Sequence, residues 1–196
     1  MRYPVVLAVL ATAAPLHGQA PARRTPEQIK ASYDAHQADF DYLLGDWEFT
    51  GTNKQYGPTH GYWSAVRLAE GAEILDEYRV TGDSGETYYV TSTLRVYNAV
   101  LDQWELVSIE QGTGLQNLGT GHKVGDEMRI EQKFGVLSDS PTVWRIRYSN
   151  IGPDHFTWSA DRSSDNGRTW TVDFQKLEAR RIGPPRVLPA LAPARH

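Results

Sequence analysis

The chain of 196 residues contains no cysteine. That excludes disulfides, zinc–thiolate centres, iron–sulfur clusters and a cysteine nucleophile. Charge of one sign is also missing: 20 Lys and Arg stand against 24 Asp and Glu, with no block of either. A nucleic-acid-binding domain of this size carries a basic patch, so no nucleic-acid partner is expected. The one strongly apolar run, Val5 to Ala14, is shorter than the roughly 20 residues that cross a bilayer as a helix, so no membrane span is expected. What is abundant is aromatic: six Trp, ten Tyr and five Phe.

The ends differ in composition from the middle. Met1-Arg2, the apolar run and Gly18-Gln19-Ala20 have the form of a secretory signal over residues 1–20. With no cysteine near its end there is no lipid attachment, and the expected location is secreted or periplasmic in a bacterium. Residues 183–196 contain Pro184, Pro185, Pro189 and Pro193 with little to bury, and are expected to form a disordered Pro-rich tail. Residues 21–39 form a helical segment. Thr25-Pro26-Glu27-Gln28 places an N-cap, a first-turn proline and an acidic residue in helix-starting order, and the helix runs to about Ala38.

From residue 40 to 182 the pattern has period two, with Gly, Asn and Asp between short β-branched and aromatic runs. Strands are expected near 46–54, 61–69, 73–81, 86–97, 103–112, 115–122, 127–134, 142–149, 154–161 and 169–180. No segment between them is long enough for a crossover helix. The fold class is therefore all-β, an antiparallel up-and-down barrel of about ten strands with one N-terminal helix. Alternation assigns Tyr88, Val90, Ser92, Leu94 and Val96 to the lumen. It does the same for Met128, Ile130, Gln132 and Phe134, for Trp144, Ile146 and Tyr148, and for Phe156, Trp158 and Ala160. The strand at 103–112 is ambiguous, because Trp104 and Leu106 oppose Val107 and Ile109.

Gly45-x-Trp47 at the start of the first strand, with Arg180 or Arg181 at the end of the last, resembles the closure of lipocalin and fatty-acid-binding barrels, where an Arg packs over the Trp. Three landmarks sharpen the likeness: Phe40-x-x-Leu43-Leu44-Gly45-x-Trp47-Glu48, Tyr97-Asn98-Ala99-Val100-Leu101-Asp102-Gln103-Trp104, and Ser163-Ser164-Asp165-Asn166-Gly167-Arg168-Thr169-Trp170. In this order they resemble the bacterial family known as domain of unknown function 1579, over about residues 40–181. The resemblance implies a calycin-like barrel and a secreted protein, and transfers no catalytic residue. Asn98-Ala99 departs from the family's more usual Asp-Pro, which alters a turn.

Other motifs read as structure. Ser163-x-Asp165-x-Gly167-x-Thr169-Trp170 fits an Asp-box hairpin, and one copy cannot build a propeller. Gly82-Asp83-Ser84-Gly85 resembles the nucleophile loop of trypsin-like proteases, but the rest of that machinery is missing and the four residues make a good hairpin turn. His36, His60, His122, His155 and His196 show no metal-ligand spacing. His155, taken as the histidine within a strand, points away from the Phe156 and Trp158 face, so no haem, metal or other cofactor is expected.

The lumen carries the functional expectation. A ten-stranded barrel is wider than the eight-stranded one that side chains just fill. Tyr78, Tyr88, Ser92, Gln132, Trp144, Tyr148, Phe156 and Trp158 are the candidate ligand-binding residues, with Met128 and Phe134 also lining and with Asp76 and Glu110 as further polar groups. The leading reading is a non-enzymatic carrier or sensor of a small apolar or aromatic ligand. Two alternatives stand beside it. One is an isomerase, cyclase or hydrolase using Asp76 or Glu110 as its acid or base. The other is a structural or partner-binding protein with a filled barrel.

Overall fold

The computed structural model describes residues 24–68 and 71–188. The segment assigned as a signal and the last eight residues of the tail lie outside them. Ten antiparallel strands form the barrel: β1 (Gly45–Asn53), β2 (Gly57–Arg67), β3 (Ile74–Thr81), β4 (Thr87–Asn98), β5 (Gln103–Glu110), β6 (Gly114–Val124), β7 (Glu127–Phe134), β8 (Thr142–Ser149), β9 (His155–Ser163) and β10 (Thr171–Gly183). Each pairs with the next, and β1 pairs with both β2 and β10, which closes the sheet. Closure removes the free edges that ten open strands would leave.

The helix α1 (Pro26–His36) starts at a full capping box: Gln28 N donates to Thr25 Oγ1, and Thr25 N donates to Gln28 Oε1. It ends two residues before the expected stop. Ser32 is its buried residue and bonds the Tyr97 hydroxyl at 2.8 Å and Asp102 Oδ1 at 2.5 Å. The helix thereby docks on the β4–β5 end of the barrel.

Aromatic packing closes that end. Phe40, Leu43, Trp47 and Trp104 have no solvent exposure. Phe40 meets Trp104 edge-on with ring centres 4.9 Å apart, and Trp47 meets Phe156 at 4.8 Å. Trp47 Nε1 donates to Leu43 O at 2.8 Å, so the indole is buried with its polar atom satisfied. Gly45, at φ 105°, is required here: a Cβ would lie 2.6 Å from Arg181 Nη1 and 2.7 Å from Gly183 O. Arg181, one of the two arginines anticipated, stacks on Trp47.

Three turns take the forms read from the sequence. In the β3–β4 turn Gly82 N donates to Glu86 O and Gly85 has φ 88°. In the β9–β10 turn Asp165 Oδ1 accepts from Thr169 N and from Ser163 Oγ, and Trp170 Nε1 donates to Gly167 O. At 98–102, Asn98 Oδ1 accepts from Val100 N and Leu101 N, so asparagine fixes the turn by itself.

The tail departs from expectation at its start. Gly183 completes β10, and a short strand β11 (Arg186–Val187) pairs in parallel with Val66 and Arg67 of β2. Arg186 Nη2 reaches Asp46 Oδ1 at 2.6 Å and Ser64 Oγ at 2.8 Å. Backbone pairing and a side-chain ion pair hold this piece where composition alone suggested a free end.

Candidate functional site

The barrel opens at the end opposite the helix into a cavity of about 1140 Å³. The filled-barrel alternative is thereby corrected, because side chains plug the helix end and leave the rest of the lumen open. Two kinds of wall line it. Trp63, Tyr78, Trp144, Tyr148, Trp158 and Phe174, from β2, β3 and β8 to β10, supply aromatic surface. Thr91, Thr93, Ser108, Asn117 and Gln132, from β4 to β7, supply hydroxyls and amides.

The polar wall is cross-linked. Thr93 Oγ1 and Ser108 Oγ share a hydrogen at 2.8 Å, Gln132 Nε2 donates to Asn117 Oδ1 at 2.8 Å, and Asn117 Nδ2 donates to Gln116 Oε1 at 3.1 Å. Thr91 Oγ1 donates to Ile109 O and lies 3.1 Å from Gln116 Oε1. Such a network holds its members in fixed rotamers.

An ion pair forms the floor. Arg95 and Asp76 are 3% and 2% exposed. Arg95 Nε donates to Asp76 Oδ2 at 2.5 Å and Nη2 to Oδ1 at 3.2 Å, while Trp63 Nε1 donates to Oδ1 at 2.8 Å. The guanidinium also faces the Phe40 ring at 4.9 Å. Burial opposes the charge on Arg95, but attraction to Asp76, the hydrogen bonds to it and the neighbouring phenols together outweigh burial and raise the guanidinium further, so Arg95 stays cationic. Burial pushes the Tyr148 phenol up to about 12, and Tyr42 and Tyr78 upward as well, so these rings are neutral at ordinary pH.

Most of the anticipated ligand residues meet in this cavity: Tyr78, Gln132, Trp144, Tyr148 and Trp158 all line it, as does Phe134. Two, Ser92 and Phe156, need correction, and a third lies at the mouth. Ser92 lies on the outer face, because β4 turns Tyr89, Thr91, Thr93, Arg95 and Tyr97 inward and Val90, Leu94 and Val96 outward. Tyr88 also lines the cavity, but only at its mouth, where it stands 70% exposed with its hydroxyl donating to Glu86. Phe156 faces inward but sits in the plug against Trp47, below the cavity, and Met128 is likewise buried outside its lining.

On β5 the ambiguity resolves with Trp104, Leu106 and Ser108 inward. Asp76 faces the lumen as expected, but both its oxygens already accept hydrogen bonds, so it serves as the counter-ion of Arg95. Glu110 reaches the rim, where Thr113 Oγ1 donates to it at 2.7 Å.

Several lining residues went unread. Alternation that turns Ser92, Leu94 and Val96 to the lumen puts Arg95 outward, whereas the structure places it inside. Arg162 enters from β9 with its guanidinium 5.0 Å from the Phe174 ring. His155 is exposed and bonds Asp154, as read, but His60 and His122 also lie in strands, and His60 lines the cavity mouth. Among the described residues no three His, Asp or Glu side chains come together where they could hold a metal ion, and no helix is long and apolar enough to cross a membrane.

No protein-family model and no curated protein matches the chain. Among solved structures it is similar to the crystal structure of Rv2717c from M. tuberculosis, at 16% identity over 76% of this chain and 97% of that one, with a TM-score of 0.50. It also matches a structure of EF1p2_mFAP2b bound to DFHBI, at 16% identity over 77% and 98% of the two chains, with a TM-score of 0.38. What the first of these likenesses shows is a shared barrel fold.

Proposed function

We propose that this chain is a carrier or sensor barrel that holds a small, partly aromatic molecule in its lumen and does no chemistry on it. The observation that carries the reading is the open cavity with one aromatic and one polar wall above a buried ion pair. Burial against Trp144 and Trp158 supplies affinity, and the Thr93–Ser108 and Gln132–Asn117 pairs supply orientation. Alternation predicts a mainly apolar site; the polar wall moves the ligand class toward molecules with one polar edge. A catalytic role has less support, since Asp76 is committed to Arg95 and Glu110 to Thr113.

The proposal includes export to the periplasm or exterior, on the form of residues 1–20, and membership of the domain of unknown function 1579 family, on the three landmarks. Native mass spectrometry of the protein purified gently from its own source tests it. The expected result is a chain that starts near residues 19–21 and carries a small molecule that leaves on denaturation. An unprocessed N-terminus overturns export. A bare chain that also shows no thermal shift across a broad library of lipids and aromatic compounds overturns lumen binding.

A further inference from the structure

Resting on that reading of the lumen, we propose that Arg95 is the polar anchor of the site and that its ligand is a neutral planar aromatic bearing a hydrogen-bond acceptor, such as a ketone oxygen, at its inner end. Arg95 lines the cavity, is almost wholly buried, and offers five N–H donors in a fixed fork. Asp76 takes Nε and Nη2, while Nη1 has no acceptor among the described residues. A buried charged donor without a partner is unfavourable; Nη1 is closed to solvent, with the guanidinium packed on the Phe40 and Tyr148 rings, so a ligand acceptor relieves it by entering beside them.

The charge balance of the floor selects a neutral acceptor. Asp76 already cancels Arg95, and the phenols of Tyr42 and Tyr148 packed around them stay uncharged. A ligand carboxylate would add a net negative charge in a desolvated, aromatic-walled pocket, where an unbalanced ion is strongly disfavoured. A ketone satisfies Nη1 without that charge. Flatness follows from the walls: rings on one side stack a planar face, and the Thr93–Ser108 pair opposite meets polar atoms at its edge.

Calorimetric titration of the wild-type protein with three probes, 2-acetylnaphthalene, 2-ethylnaphthalene and 2-naphthoate, separates the outcomes. The ketone should bind at least about tenfold more tightly than the ethyl compound, the size expected of a hydrogen bond from a charged donor, and more tightly than the carboxylate. In the double variant Arg95→Met/Asp76→Asn, which removes both charges and keeps an acceptor for Trp63, the ketone and ethyl compounds should bind alike. Equal binding of those two to the wild type overturns the anchor and leaves lumen binding standing. Tightest binding by 2-naphthoate overturns the neutral-ligand assignment. No binding by any probe to the folded protein overturns lumen binding and the anchor together.

Discussion

The guanidinium of Arg181 lies 4.1 Å from the ring centre of Trp47, joining the last barrel strand to the first. It also donates to three carbonyls: Leu44 O, Tyr42 O at 2.9 Å and Pro153 O at 2.6 Å. One side chain thus ties the segment before β1, the β8–β9 turn and β10 around a wholly buried indole. A cation–π contact is worth roughly 0.5–2 kcal/mol, and hydrogen bonds from a charged group about 1.5–3 kcal/mol each when lost from a buried site. Because Arg181 is partly exposed, Arg181→Ala should lower stability by about 2 kcal/mol, read as a lower urea midpoint with an unchanged slope. Arg181→Lys should recover little, since an ammonium cannot reproduce the planar fork.

The Asp76–Arg95 pair predicts a non-additive pair of substitutions. Asp76→Asn alone leaves Arg95 charged and buried without its counter-ion, and should cost about 3–5 kcal/mol in denaturant unfolding. Adding Arg95→Met removes the stranded charge and should restore at least half of that loss. Simple addition of the two single effects would show that the charges do not stabilise each other.

The β9–β10 turn should respond to acid. Asp165 accepts hydrogen bonds from Thr169 N, Thr169 Oγ1 and Ser163 Oγ, and these hold its carboxyl down to about 2 from an ordinary 3.8. A depressed folded-state value means that the ionised form is the stabilising one. Its contribution is complete above pH 4 and fades as pH falls from 3.8 toward 2. Amide exchange at Gly167 and Thr169 should therefore accelerate across that interval while the β4–β5 ladder is unchanged. In Asp165→Asn the turn should be looser at neutral pH and flat through the same range.

The barrel was legible in the sequence because its turns and alternation are local signals. Each of the ten strands lies within a few residues of its expected span, and Gly45-x-Trp47 with Arg181 marked the seam. The sidedness of β4 was not legible, because the rule that apolar residues face inward assumes a dry interior. Here Val90, Leu94 and Val96 face outward with Val107 and Leu118 nearby on the outer sheet surface, while Thr91, Thr93 and Arg95 face a cavity. Arg95 can do so only because Asp76 lies diagonally across from it on β3, where Asp76 is paired with Thr93 and Arg95 with Ile74. Phe156 was placed on the correct face but at the wrong depth, since alternation carries no information along the barrel axis.

That reversal on β4 gives a direct test, which the absence of native cysteine makes clean. Neighbouring residues on a strand point to opposite faces, so Ser92 and Thr93 should differ sharply. Thr93 is 5% exposed and bonds Ser108, its partner on the adjacent strand β5, whereas Ser92 is partly exposed on the outer face. In Ser92→Cys the thiol should react with a bulky maleimide dye several-fold faster than in Thr93→Cys. A ligand that fills the lumen should slow labelling of the second variant and leave the first unchanged. Faster labelling in Thr93→Cys would mean that the register of β4 is shifted by one residue, moving Thr91, Thr93 and Arg95 out of the cavity.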